Sequence, residues 1–222
     1  MPMNDELARQ FLAVDTTALC DVDKTTRVLH SAIRPRSAQP RIFGPAFTVR
    51  CRDDFLGVLQ AVESAAPGDV IVVDGGAREI ALGGELFARG ALVRSLGGIV
   101  VDAGYRDMAF VADCELPVYS RFVTPHSGTS AKLGELQVPV TCGGVTVTPG
   151  DLVLADGEGL IVVDPDRIRD LLTAALAIKK AENAIVERLD TGATLSDAFN
   201  LTEHVEALKR GESSALRPRG AL

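Results

Sequence analysis

Gly83-Gly84-Glu85-Leu86 and Gly104-Tyr105-Arg106-Asp107 are the segments of this chain whose residue types and spacing suggest chemistry. The first sets a carboxylate at a helix start behind two glycines. The second sets an arginine beside an aspartate just past an apolar run. Carboxylate oxygens suit a hard divalent cation, and a guanidinium suits the carboxylate of an oxo acid. Glycines let the backbone approach a ligand closely, and the N–H groups of Leu86 and Phe87 would then point at an anion. Gly84, Glu85, Leu86 and Phe87 thus form a candidate anion cradle, with Arg106 and Asp107 beside it.

Parallel strands must bring these segments together. Apolar, strand-like runs recur at Gly44 to Cys51, Val70 to Val73, Gly98 to Val101, Val118 to Phe122, Val138 to Val140, Leu152 to Ala155 and Leu160 to Val163. Helical segments separate the first three. Phe55 to Ala65 stops at Pro67-Gly68, and Ile80 to Leu96 stops at Gly97-Gly98. Consecutive β-α-β passages predict parallel strands with right-handed crossovers, whose continuous apolar runs are covered on both faces. Ligands then bind beyond the strands' carboxyl ends. There the loops opening at Asp74-Gly75-Gly76 and at Asp102-Ala103-Gly104 join the cluster.

After Val118 the texture changes to short strands between Gly/Pro turns, which predicts a small antiparallel layer. Residues 5–20 read as a first helix and 165–190 as a long closing one, opened by Pro165 and Asp166. The expected organisation is a single α/β domain over 1–190 and a C-terminal helical extension and tail over 191–222.

Each site residue also has a plainer reading. Asp74 and Asp102 could be turn or capping residues, Glu85 a solvated helix carboxylate, and Arg106-Asp107 a surface ion pair of little worth. Their convergence at one sheet end is what favours a functional reading. His126, in Thr124-Pro125-His126-Ser127-Gly128, is the histidine best placed to join them.

The net charge of −7, with no Lys/Arg cluster, argues against a nucleic-acid ligand. Four scattered cysteines without a CxxC argue against zinc and for reduced, mostly buried thiols. A nucleophilic Cys114 is disfavoured by its flanking Asp113 and Glu115. No P-loop, GxGxxG turn or nucleophile elbow is present. With no charged-then-apolar leader and no run of eighteen apolar residues, the expectation is a cytoplasmic protein with no membrane partner.

The ordered succession Gly44-Pro45-Ala46-Phe47-Thr48-Val49, Pro67-Gly68-Asp69-Val70, Gly84-Glu85-Leu86, Asp102-Ala103-Gly104-Tyr105-Arg106-Asp107, Leu116-Pro117-Val118, Gly143-Gly144-Val145, Pro149-Gly150-Asp151 and Asp156-Gly157-Glu158-Gly159 resembles the RraA-like family over roughly residues 15 to 185. That family includes metal-dependent 4-hydroxy-4-methyl-2-oxoglutarate aldolases, which are also oxaloacetate decarboxylases, and non-catalytic regulators of ribonuclease E. The resemblance implies a swivelling α/β/β sandwich with parallel and antiparallel strands plus terminal helices. It also implies a homotrimer or a hexamer (a dimer of trimers) with sites at subunit interfaces.

Aldolase members resemble one another in an acidic residue, twenty intervening positions and then Arg-Asp. Glu85 and Arg106-Asp107 have that spacing. The regulators generally lack the aspartate, so the resemblance favours an enzyme, with a regulator of ribonuclease activity as the alternative. It assigns Asp107 to Mg²⁺ or Mn²⁺, Arg106 and the Leu86 and Phe87 N–H groups to the anion of a 2-oxo acid substrate, and Glu85 to proton transfer. No lysine takes part. Glu85 stands where the aldolase pattern most often has Asp, one methylene shorter.

Overall fold

The computed structural model describes residues 5–219. Four strands form its parallel core: β3 (Ile42–Arg50), β4 (Val70–Ala81), β5 (Gly98–Tyr105) and β6 (Val118–Val123). The short β1 (Arg27–Val28) and β2 (Arg34–Pro35) precede them. After them come β7 (Glu135–Leu136), β8 (Val140–Cys142), β9 (Val145–Val147), β10 (Leu152–Ala155) and β11 (Leu160–Val163). The main sheet runs β1-β11-β10-β3-β4-β5-β6-β2, with β7 on β3, while β8 and β9 form a separate ribbon. Helices α3 (Leu56–Ser64), α4 (Glu85–Val93) and α5 (Met108–Val111) are the crossovers between the parallel strands.

The alternation of side chains along a strand explains the layering. Ile71, Val73, Ile99, Val101, Ala103 and Tyr105 pack against Val58 and Ala61 of α3, Phe87, Ala88 and Ala91 of α4 and Val111 of α5. The interleaved Val70, Val72, Val100 and Tyr119 face Val140, Cys142 and Val147 of the β8–β9 ribbon. Helices, sheet and ribbon therefore make the expected α/β/β sandwich. Both faces of β5 are covered, and all eight of its residues are buried. No helix among the described residues is long and apolar enough to cross a membrane.

Several boundaries differ from the sequence reading. The first helix is two, α1 (Asp5–Leu12) and α2 (Thr16–Val22). Asp15 breaks it, because in extended conformation it accepts the Ala18 N–H and caps the second. Ile80 and Ala81 belong to β4, not to a helix, and α4 starts only at Glu85. The cause is a β-bulge: Val73 pairs with Val101, yet Arg78 pairs with Ala103, so extra residues loop out around Gly76 and Ala77, both with positive φ. A bulge breaks the period-two pattern that reveals strands, and it hides the second half of β4 in the sequence. Likewise Gly104 and Tyr105 lie in β5, and the run expected at Val138 to Val140 forms its strand at β8.

A third apolar cluster joins Phe11, Ala18 and Leu19 to Leu154, Ile161, Ile168, Leu172 and Ala175, so the terminal helices cover the β10–β11 side. The closing helix α6 spans Ile168–Asp190, followed by α7 (Leu195–Ala198), with a Thr194–Asp197 capping box, and α8 (Leu201–Lys209).

Candidate functional site

Residues 82–85 and 104–107 are zipped together. Leu82 N–H donates to Gly104 O at 3.0 Å, and Arg106 N–H to Gly83 O at 3.1 Å. The Tyr105 hydroxyl donates to Gly84 O at 3.0 Å. Glu85 N–H, the first of α4, donates to Asp107 Oδ2 at 3.0 Å. Asp107 thus supplies the cap that Gly84 has no side chain to make. It can do so because it takes the left-handed conformation, φ +62°, which aspartate tolerates better than most residues.

The two glycines are required by space. A Cβ on Gly83 would lie 2.3 Å from the Tyr105 ring, and one on Gly84 would lie 2.4 Å from Asp107 Oδ2. Burial pushes the Tyr105 phenol well above its usual range, with smaller contributions from Cys114 and Asp107, so its proton stays available to Gly84.

Around this turn the polar groups form a row. Arg106 Nε lies 3.7 Å from Asp107 Oδ2, and both side chains are about two-fifths exposed, 42% and 41%. Glu85 Oε1 accepts a 2.7 Å ion pair from Arg89 Nε, one turn along α4. The Arg89 guanidinium lies 4.1 Å over the ring of Phe110 in α5. Leu86 is exposed beside the row, while Phe87 is buried beneath it. The surface can orient an anion between the α4 N-terminus and Arg106, and it keeps two carboxylates within reach of that anion.

A metal has one good protein ligand here. Asp107 Oδ1 is free of hydrogen bonds among the described residues, while Oδ2 is committed to Glu85 N–H. Among the described residues no group of three or more His, Cys, Asp or Glu is arranged to hold an ion. That donor set does not fit a caged cation such as structural zinc. It does fit Mg²⁺ or Mn²⁺ bound by one carboxylate, with water and ligand oxygens completing the shell.

The other candidates lie apart from the row. Asp74 and Asp102 are buried on the ribbon face of the sheet. Asp74 accepts from Arg52 at 2.9 Å and from Gly76 N–H at 3.1 Å. Asp102 accepts from Arg121 at 2.5 Å and from Gly143 N–H at 2.7 Å. Both carboxylates are thus satisfied in tying β6, β8 and their neighbours together, which is the plainer of their two readings. His126 contributes its carbonyl to Ala81 N–H at 2.7 Å, and its exposed ring makes no hydrogen bond among the described residues. All four cysteines are free, and Cys51, Cys114 and Cys142 are buried. Sequence reasoning missed Arg89 and Phe110; the Glu-to-Arg spacing of four on a helix was the available signal for the first.

Comparison with known proteins agrees with this architecture. The family model described as RraA-like, Aldolase/RraA, matches residues 16–162. A protein of Halalkalibacterium halodurans named "Putative 4-hydroxy-4-methyl-2-oxoglutarate aldolase" is 33% identical over 181 residues, 81% of this chain and 86% of that one. One of the same name from Burkholderia multivorans is 40% identical over 157 residues, covering 66% of this chain and 94% of its own. Among solved structures, the RNA-processing inhibitor RraA of Thermus thermophilis superposes with a TM-score of 0.63 at 30% identity, over 67% of this chain and 92% of that one.

Proposed function

This chain belongs to the RraA-like family, and from that premise we propose that it is a divalent-metal-dependent lyase. It cleaves a carbon–carbon bond of a 2-oxo acid to release pyruvate, acting as a 4-hydroxy-4-methyl-2-oxoglutarate aldolase, an oxaloacetate decarboxylase, or both. The observation that carries the reading is the packing of Asp107 and Arg106 against the first turn of α4.

The residues divide the work. Arg106 and the N–H groups of Leu86 and Phe87 bind the substrate's C1 carboxylate and fix the plane of the 2-oxo group. Asp107 holds Mg²⁺ or Mn²⁺, which when bound supplies Lewis-acid polarisation of the 2-oxo oxygen. As the C3–C4 bond breaks, its electron pair moves into the C2 carbonyl to give the pyruvate enolate. The C4 fragment leaves as carbon dioxide or as a second oxo acid. Arg106 stabilises the developing enolate oxygen. A proton then reaches C3, and Glu85 carries it; its Oε2 is the oxygen that Arg89 does not engage. In the aldol case the C4 hydroxyl proton is taken up in the same cycle, so protons balance.

In the single chain the Arg106–Asp107 surface is open, and Leu86 and Val93 of α4 are 76% and 84% exposed. A homotrimer, or a dimer of trimers, that covers α4 would exclude water from the site. Light scattering of the purified protein tests this, and a monomer contradicts it.

The activity test is pyruvate release from oxaloacetate and from 4-hydroxy-4-methyl-2-oxoglutarate with Mg²⁺. Turnover is expected to stop with chelator and to fall in Arg106→Ala by about a hundredfold or more. Unchanged activity in that variant overturns the site, and trapping of a pyruvate–lysine adduct by borohydride overturns the mechanism. No turnover, with tight binding of a ribonuclease instead, would favour the regulator suggested by the Thermus relative.

A further inference from the structure

Arg89 has a partner on one side only. Its Nε is taken by Glu85 Oε1 at 2.7 Å, and its guanidinium plane rests on the Phe110 ring at 4.1 Å. Its two terminal nitrogens make no hydrogen bond among the described residues, and the side chain is 57% exposed. A plain intrahelical ion pair needs only the charge. Here stacking on an aromatic face also restrains the fork, and its two terminal nitrogens, the pair that can bind a carboxylate bidentately, are left without a partner among the described residues.

Position adds a length. Glu85 is the first residue of α4, at the anion cradle, and Arg89 lies four residues further along the same helix. That is a Cα rise of about 6 Å, one turn from the cradle, and the Arg89 guanidinium is drawn back to Glu85 Oε1, beside a ligand that extends past Glu85. Along the surface the order is Arg106, Asp107, Glu85, Arg89: two guanidinium groups bracket two carboxylates.

We propose that Arg89 is a specificity-determining residue, receiving the second carboxylate of a 2-oxo acid whose first carboxylate sits at Arg106 and the α4 N-terminus. The proposal deepens the lyase reading and rests on it for the placement of the first carboxylate. Glu85 holds the fork in place through the 2.7 Å pair between its Oε1 and Arg89 Nε.

The test is calorimetric titration of wild type and Arg89→Gln, with Mg²⁺ present, using 2-oxoglutarate and 2-oxobutyrate, which differ in the far carboxylate. Arg89→Gln is expected to weaken 2-oxoglutarate at least tenfold and to leave 2-oxobutyrate within twofold, with Arg89→Lys in between. Equal weakening of both ligands would reduce Arg89 to a support for Glu85 and overturn the proposal. So would unchanged affinities, or no binding of either ligand to wild type. Oxaloacetate turnover by wild type, measured beside it, separates the two claims. Turnover without discrimination at position 89 removes only the Arg89 role, and discrimination without turnover removes only the lyase.

Discussion

The Asp107 carboxylate accepts the backbone N–H of Glu85 at 3.0 Å, across 22 positions of sequence. One aspartate therefore caps α4 with Oδ2, while its Oδ1 makes no hydrogen bond among the described residues and is the oxygen proposed for a cation. The two duties are separable. Asp107→Asn keeps an oxygen acceptor for Glu85 N–H and loses the charge. It is expected to fold with a melting temperature close to wild type and to lose at least a hundredfold in Mg²⁺-dependent pyruvate release. Asp107→Ala also loses the cap, which costs about 1 kcal/mol, so it should melt measurably lower. Equal activity in Asp107→Asn and wild type would remove the metal role.

Gly84 tests the close approach. Its φ of −174° is ordinary extended backbone, so alanine meets no conformational strain there. Its Cβ would instead sit 2.4 Å from Asp107 Oδ2 and 3.0 Å from Arg106 Cγ. Gly84→Ala should displace both side chains and cut kcat/KM at least tenfold, with an overpacking cost of about 1–3 kcal/mol. A variant with wild-type kinetics would show that the turn adapts and that this packing has no functional weight.

The Asp102–Arg121 pair is a structural prediction. With exposures of only 7% and 13%, neither side chain can turn to water when its partner is removed. Arg121→Leu is expected to cost about 3–5 kcal/mol, because a buried carboxylate loses its counter-charge. Asp102→Asn combined with Arg121→Leu should recover most of that loss, since the amide oxygen still accepts Gly143 N–H. Denaturant titration of both variants decides it; a double variant as unstable as the single one would contradict the account.

Asp54 should contribute to acid sensitivity. Burial raises its pKa, but the Thr129 hydroxyl and the N–H groups of Leu56, Ala131 and Lys132 outweigh it and bring the value down to about 2. An unfolded aspartate titrates near ~3.9. The stabilisation is therefore present above about pH 4 and is lost as pH falls from there toward about 2. Asp15, also held at about 2, titrates in the same window and is present in wild type and in an Asp54→Asn variant alike. Urea midpoints between pH 5 and pH 2.5 should fall more steeply for wild type than for Asp54→Asn. Parallel curves would exclude this contribution.

How far the fold could be read ahead depends on how each element is made. Val70-Ile71-Val72-Val73 and Ile99-Val100-Val101 announce themselves because strands covered on both faces must be apolar throughout, and the antiparallel β10 and β11 begin and end where their apolar runs do. The bulge at Gly76–Ala77 leaves no periodic trace, so the sequence pattern places Ile80 and Ala81 in the following helix. Asp74 and Asp102 look like loop residues in sequence. Only the sheet's face assignment reveals that they point at the ribbon, away from Glu85. Of the candidate site, the residue types of Glu85, Arg106 and Asp107 single them out in the sequence, and the structure brings them together at the start of α4. The Phe110 platform beneath Arg89 could not, because it depends on how α5 docks against α4.

The fit of Gly83 under the Tyr105 ring and of Gly84 under the Asp107 carboxylate makes residues 83–85 and 105–107 a single interchangeable cassette. Transplanting Arg-Asp alone into an inactive homologue that carries a larger residue at the position of Gly84 would wedge the graft open. Moving both segments together carries Glu85, Arg106 and Asp107 into another scaffold of this fold with the packing that positions them.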